Sequence, residues 1–359
     1  MSYRFEELKG LFAYLDREGF AASQRLPLVA SRQWWPGGEM ESWRRFRRGD
    51  PNLHEVAVPA WYWAAHGKQN RSLFERLTLG RAANGWSRPD EVEVLFDRAV
   101  PNGWNLDFSS VDEASPLWTV VARFGRYILR SHPAMAGDHF VYFGDDTLFL
   151  MEQCRRLLAE LQQEGTQRVR CLDLCCGGGG VGLSLPIFQG ELQGLDLNPA
   201  AVALASSTAR AQGLSHYNYE CSDILEGLSG EYDLIFGNPP TLDPKLTGQD
   251  VFYATGSLDV LASILESCLT ALSERGRAAM TVFSAVRDGR DETLDVVRKV
   301  LGERRGLTYR VRREFALREG LKLRHALLVL KPLRDTSQEV VPLAKPGWNL
   351  PGLSWRRPR

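Results

Sequence analysis

Val169 to Gly182 reads VRCLDLCCGGGGVG: an apolar run ending near an acid, then four consecutive glycines, then a resumption of apolar residues. This is a buried strand, a tight turn and the start of a helix. Glycine carries the highest backbone entropy cost. It is used where φ must be positive or where another group must approach the main chain. Four in a row mark a turn built around a ligand.

Working outward, VYFGDDTLFLMEQCRRLLAELQQEG predicts a helix from about Asp146 to Glu164, with Leu150, Cys154, Leu157, Leu158 and Leu161 on one face and Gly165 closing it. Beyond the glycines the pattern alternates. Strands are predicted over 168–174, 192–197, 216–221, 232–237 and 277–284, with helices over 180–188, 257–273 and 291–301 between or after them. A further helix starts with Asn198 as cap and Pro199 as its first residue and ends at Gly213. Strands at 307–315 and 322–330, joined near Arg318–Gly320, read as an antiparallel hairpin at one edge. The expected fold is α/β: a seven-stranded, mostly parallel sheet with helices on both faces and that hairpin at its margin.

The chain divides into residues 1–135, 136–331 and 332–359. The first unit holds eight of the ten tryptophans and is mainly helical by pattern, with helices expected over 3–19 and 115–130. Trp34, Trp35 and Trp43 lie among Arg44, Arg45, Arg47 and Arg48. That is the pattern of a domain surface where arginine stems cover rings, or of a base-stacking face. The tail after Pro332 is proline-rich and reads as an extended strap.

Lys plus Arg and Asp plus Glu both number 44, so the formal net charge is zero. This balance weighs against a protein that grips nucleic acid. The six cysteines have no disulfide framework or metal-ligand spacing, so no metal is expected, and reduced thiols in the cytoplasm are. No apolar run is long enough for a membrane span. Oligomeric state is not written in the sequence.

The chemistry concentrates at strand ends. In an open α/β sheet, ligands bind beyond the carboxyl ends of the strands, at the switch point where strand order reverses. A helix start after the glycines favours an anionic group there. Asp196 ends the second strand, 23 positions after Asp173, where an acid takes the hydroxyls of a ribose. Asp223 follows the third strand, placed to accept from an adenine amino group. The fourth strand runs into Gly237-Asn238-Pro239-Pro240-Thr241.

Asp173–Gly179, Asp196, Asp223 and the Asn-Pro-Pro sequence, in that order, resemble the motifs of class I S-adenosylmethionine-dependent methyltransferases. The Asn-Pro-Pro element is similar to that of their N-methylating branch, which includes the release-factor glutamine and small-domain methyltransferases. The resemblance covers roughly 140–331 and implies a Rossmann-like fold with S-adenosylmethionine as cofactor. It implies that Asp173, Cys175 and the Gly177–Gly179 backbone hold the methionine part, Asp196 and Leu197 the ribose, and Asp223 and Ile224 the adenine. Asp146 and Thr147 resemble the acidic-Thr element that approaches the methionine end from the other side. Asn238, with the Pro239 carbonyl, would accept hydrogen bonds from a substrate N–H, with Thr241 beside them. Two positions depart from the pattern. Cys175 stands where the first glycine is usual, and Thr241 where an aromatic ring is usual. Phe252 and Tyr253 are candidates to replace that ring.

Methyl transfer from a sulfonium is an in-line displacement that depends on alignment. Acceptors in the plane of an amide or aryl-amine N–H favour the rehybridised nitrogen. The expected activity is therefore N-methylation of a small molecule or a protein side chain. Two alternatives are methylation of an RNA base amino group, and ring closure of the cofactor to azetidine-2-carboxylate and methylthioadenosine. A binding module without chemistry is disfavoured by the intact acids.

Overall fold

The structure, a computed structural model, describes residues 9, 12–13, 57–59, 118–131, 141–224, 228, 230–242, 256–333 and 339–341. Three strands precede the glycine turn: β1 (Ala57–Pro59), β2 (Trp118–Arg123) and β3 (Arg126–Ser131), paired antiparallel in that order. The helix expected over 115–130 is therefore a hairpin. Thr119, Val120 and Val121 are β-branched and suit a pleated surface. Phe124 and Gly125, at φ 52° and 73°, make the two-residue, positive-φ turn that matches strand twist. The rest of the expected helix-rich unit, including the Trp34–Arg48 cluster, lies outside the described residues, apart from helical Lys9, Phe12 and Ala13.

The main body follows the expected alternation. Helix α1 (Asp145–Gln163) leads into β4 (Val169–Leu174), the short α2 (Gly180–Ser184), β5 (Gly190–Asp196), α3 (Pro199–Ala211), β6 (Tyr217–Cys221) and β7 (Tyr232–Gly237). Then come α4 (Leu258–Ala271), β8 (Leu272–Arg287), β9 (Arg290–Asp291), α5 (Glu292–Leu301), β10 (Gly306–Arg318) and β11 (Leu321–Lys331). The tail contributes β12 (Glu339–Val341), parallel to β10, so this part of the expected strap is an edge strand. The sheet order is β12-β10-β11-β8-β7-β4-β5-β6, with β9 paired to β8. β4 to β8 run parallel, and β11 is antiparallel to both β8 and β10. This is the mixed, Rossmann-like sheet with its antiparallel edge. Among the described residues no helix is long and apolar enough to cross a membrane.

Two cores hold the layers together. Leu150, Leu157 and Leu161 of α1 pack with Cys171, Leu234, Phe236, Ala279 and Leu327 on one sheet face. Leu261, Leu265 and Cys268 of α4 and Val297 of α5 pack with Leu172, Ile235, Ala278 and Leu328 on the other. Successive strand residues serve opposite faces, so the central strands β4 and β7 are mostly apolar, while β5 and β6 nearer the edge keep polar residues. The helix starts are capped. Asn198 Oδ1 accepts from the Ala200 and Ala201 amides at 2.9 and 3.4 Å, and Asp291 Oδ1 from Leu294 N at 2.9 Å.

The chain leaves β4, proceeds outward through β5 and β6, then returns to β7 on the other side of β4. The switch point therefore lies between β4 and β7, at the turn that carries the glycines. The β2–β3 hairpin is fixed to this body by Gln212, at the end of α3. Its Oε1 accepts from Tyr127 N and its Nε2 donates to Tyr127 O, both at 2.8 Å. Phe12 stacks on the Tyr127 ring at 4.8 Å between centroids. Gln212→Ala is expected to lower stability by about 1–2 kcal/mol, because two strand groups lose partners. Thermal unfolding checks this, and Gln212→Glu, which accepts but does not donate, is expected to fall between the two.

Candidate active site

The glycine turn is shaped by close approach. A Cβ on Gly178 would lie 2.6 Å from the Leu129 carbonyl of β3, and one on Gly179, at φ 73°, would lie 2.9 Å from the Tyr219 ring. Cys175 also sits at positive φ, 53°, a conformation that costs an L-residue about 1–2 kcal/mol. The residue that departs from the expected glycine thus retains the glycine-like backbone.

Two acids hold the turn. Asp173 Oδ2 accepts from Gly182 N at 3.0 Å. Asp196 accepts from Gly177 N at 2.7 Å on one oxygen and from Asn198 N at 2.8 Å on the other, tying the turn to the end of β5. Both carboxyls are pushed above the ordinary carboxylate value of 3.8, first by loss of hydration. The amide bonds oppose that shift in each, while the nearby Asp196 charge raises Asp173 further. Burial also raises the Cys175 and Cys176 thiols, so these are packing groups rather than nucleophiles.

Above the turn lies a cavity of about 350 Å³. Asp173, Cys175, Gly177, Asp196, Leu197, Asp223, Ile224, Thr147 and Asn238, all expected site residues, line it. Leu195, Ala201, Val260 and Ile264 add apolar walls, and Tyr142 and Phe143 close the side towards α1. The sequence reading missed Tyr142 and Phe143, although they stand directly before the Asp146-Thr147 element and an aromatic pair there was a usable signal. Gly179, Pro239 and Thr241 are not among the lining residues. Gly179 instead caps α2, and Thr241 Oγ1 accepts from Phe283 N of β8 at 2.8 Å. Phe252 and Tyr253 lie outside the described residues.

Asp146 is beside the cavity but touches it through another side chain. Its Oδ2 accepts from Asn238 Nδ2 at 2.9 Å, while Oδ1 accepts from Tyr142 OH and Thr147 N, each at 2.8 Å. Asn238 Oδ1 accepts from Thr281 Oγ1 at 2.5 Å. A carboxylate only accepts, so Asp146 directs the amide nitrogen towards itself and leaves the oxygen towards Thr281. Thr281, fully buried, is a second residue the sequence reading missed; as one β-strand residue among many it gave no signal.

The cavity contains three carboxyls and, among its lining residues, no lysine, arginine or histidine. It is a poor place for a pyrophosphate. The anion expected at the helix start also lacks its helix, since α2 has five residues. A cationic, phosphate-free nucleoside fits: apolar walls for a flat base, acids near strand ends for hydroxyls and amines, and bare backbone at Gly177. Among the described residues no group of three or more His, Cys, Asp or Glu could hold a metal ion.

Comparison with known families agrees with this arrangement. Residues 151–285 match the family described as methyltransferase small domain. Over 110 residues the chain is 34% identical to the release factor glutamine methyltransferase of Haemophilus influenzae, covering 28% of this chain and 37% of that protein. Over 112 residues it is 35% identical to the ribosomal RNA small subunit methyltransferase C of Chromohalobacter salexigens, covering 31% of each. The chain thus spans about a third of the length of these curated relatives. A solved S-adenosylmethionine-dependent methyltransferase from Agrobacterium tumefaciens is similar at 15% identity and TM-score 0.44, over 60% of this chain and 70% of that one.

The ribosomal RNA relative overturns the argument from net charge against nucleic acid. Zero is a sum over the whole chain. Along the chain the charge is uneven: Gly306–Lys331 holds seven Lys or Arg against two Glu.

The raised Asp173 pKa gives a test with a definite sign. An acid whose folded pKa exceeds its unfolded one begins to cost stability as pH rises through the unfolded value and costs it in full above the folded value, and costs none below the unfolded value. Asp173→Asn, whose oxygen still accepts from Gly182 N, is expected to melt at higher temperature than the parent at pH 7–8. The gap is expected to close as pH falls towards 3.8. A gap independent of pH would contradict the assigned cause.

Proposed function

We propose that the chain is an S-adenosylmethionine-dependent methyltransferase acting on a nitrogen that carries at least one hydrogen. One observation carries the reading: the switch-point cavity is lined by Asp173, Asp196, Asp223 and Asn238, with no basic side chain among its lining residues. Acidic, apolar and without phosphate-binding groups, it suits a sulfonium-bearing nucleoside better than a dinucleotide.

In this reading the backbone at Cys175 and Gly177 borders the methionine part, with Asp173 below it. Asp196 faces the ribose while holding the turn, and Asp223 with Ile224 meets the adenine. S-adenosylmethionine supplies an electrophilic methyl carbon. The chain's own residues align the acceptor. Asn238 Oδ1 has a lone pair besides the one used by Thr281, and with the Pro239 carbonyl it would accept from the acceptor N–H. Asp146 and Thr281 keep that oxygen in place without reorganisation during the reaction. Exclusion of water by the apolar walls favours dispersal of charge.

The acceptors named for the relatives, glutamine in one and ribosomal RNA in the other, set the range. The first unit, residues 1–135, borders the site; contact of β3 with the glycine turn supports this. Cofactor cyclisation has no support, since both relatives are named for methyl transfer.

Calorimetry with S-adenosylmethionine is expected to show binding, and NAD to show none. Asp223→Ala is expected to weaken S-adenosylmethionine binding by about tenfold, the loss of a hydrogen bond to a charged group. Asn238→Ala is expected to keep cofactor affinity. It should cut transfer of labelled methyl to RNA and protein fractions by about 100-fold, as for loss of one preorganised polar group. Absence of binding, or methylthioadenosine formed from the cofactor alone, would refute the proposal.

A further inference from the structure

Residues 141–143 run alongside the glycine turn. A Cβ on Gly178 would lie 3.2 Å from Val141 Cγ1, one on Gly177 3.6 Å from the Tyr142 carbonyl oxygen, and one on Gly180 2.8 Å from the Phe143 ring. Burial alternates along this stretch: Val141 and Phe143 are buried, and Tyr142 is 37% exposed. The two rings that line the cavity therefore differ. Phe143 packs into the core beside α1 and α2, and Tyr142 stays at the surface of the cavity.

The Tyr142 hydroxyl reaches past Gly144 to Asp146. A Cβ on Gly144 would overlap that hydroxyl and lie 2.7 Å from Asp146 Oδ1. The φ of Gly144 is −132°, which any residue adopts, so close approach and not backbone conformation accounts for this glycine. From Asp146 the contacts continue inward. Its Oδ1 accepts from Tyr142 OH at 2.8 Å, its Oδ2 from Asn238 Nδ2 at 2.9 Å, and Asn238 Oδ1 from Thr281 Oγ1 at 2.5 Å. Tyr142 stands at the outer end of the link that fixes which way round the Asn238 amide lies.

We propose that Tyr142 is a positioning residue for methyl transfer: its hydroxyl holds Asp146 on the Asn238 amide, so that an oxygen faces the transferred group, and Gly144 is the gap through which it reaches. This rests on the methyltransferase reading above and assigns the orientation of its acceptor-facing oxygen to a residue outside the Asn-Pro-Pro motif. Without the hydroxyl, Asp146 Oδ1 keeps only the Thr147 amide of these two donors. Rotation of a carboxyl or carboxamide about its last bond is soft, so the Asp146 carboxyl then turns more easily and the Asn238 amide with it. A tyrosine that served only as a wall would act through its ring, and phenylalanine would replace it without loss.

The test uses two ligands of the full chain. Sinefungin carries an amine-bearing carbon where S-adenosylmethionine carries its methylsulfonium, and so places N–H groups where the methyl group stands. S-adenosylhomocysteine has no group there. Titrated by calorimetry, the parent is expected to prefer sinefungin, through a charge-assisted N–H bond to the Asn238 oxygen. Tyr142→Phe is expected to lower that preference about fivefold, as for one hydrogen bond, with S-adenosylhomocysteine affinity unchanged. Gly144→Ala, which leaves both side chains intact but forces them apart, is expected to give the same loss. On an Asn238→Ala background Tyr142→Phe is expected to have no further effect, because the two act through one contact. Equal weakening of both ligands would mark Tyr142 as structural only and overturn the proposal. So would an unchanged preference in Tyr142→Phe, additive losses in the double variant, or no preference in the parent. Thermal melting confirms that each variant is folded; if Tyr142→Phe does not fold, Gly144→Ala carries the comparison. Failure of the parent to bind either ligand would instead remove the cofactor assignment itself, and is read separately.

Discussion

The site depends on a main chain passing through a space with no room for side chains. Between β4 and α2 the backbone is confined by the Leu129 carbonyl on one side and Tyr219 on another. Phe143 adds a third wall, 2.8 Å from where a Cβ on Gly180 would lie. Glycine is what permits this, and the entropy it costs is recovered in packing. The confinement also links two parts of the chain. β3 reaches the turn from the first unit, and Gln212 locks it there through both main-chain groups of Tyr127. A turn held from both sides is preorganised before any ligand arrives.

Charge works against stability in the same place. Asp173 and Asp196 are carboxyls taken out of water and set near each other, and both are pushed towards the neutral form. Backbone amides of Gly182, Gly177 and Asn198 offset part of that cost. A bound cation would offset more. Two buried acids with raised pKa values disfavour a further negative charge beside them. This is the electrostatic counterpart of a cavity that excludes phosphates.

Much of the sheet was legible because the central parallel strands are mostly apolar and helices carry a one-sided stripe. Asn198-Pro199 and Ser257 marked helix starts that the structure places at Pro199 and Leu258. The acids at 173, 196 and 223 were legible because each stands at or just beyond the carboxyl end of a strand and their order is fixed by topology. The hairpin at 118–131 was misread because Phe-Gly is not a common turn pair and the flanking residues also fit helical spacing. Thr281 was invisible for a different reason. Its contact with Asn238 comes from register across β7 and β8, and single-chain periodicity does not contain register. Net charge misled because it averages a basic edge against acidic regions elsewhere.

The orientation of Asn238 narrows the chemistry one step further. Asp146 receives Tyr142 OH, Thr147 N and Asn238 Nδ2, so its carboxylate is fixed from three directions and the amide has no reason to turn over. Asn238 therefore offers oxygen and not nitrogen to whatever lies beyond it. An acceptor nitrogen with a hydrogen satisfies that oxygen. One with none leaves it facing an apolar methyl, at a cost of about 1–3 kcal/mol for a desolvated, unmatched polar group. Under the proposed reading the same contact that aligns the substrate nitrogen loses its partner when the last N–H is replaced. The site then disfavours a fully methylated product while still holding the amino group it began with.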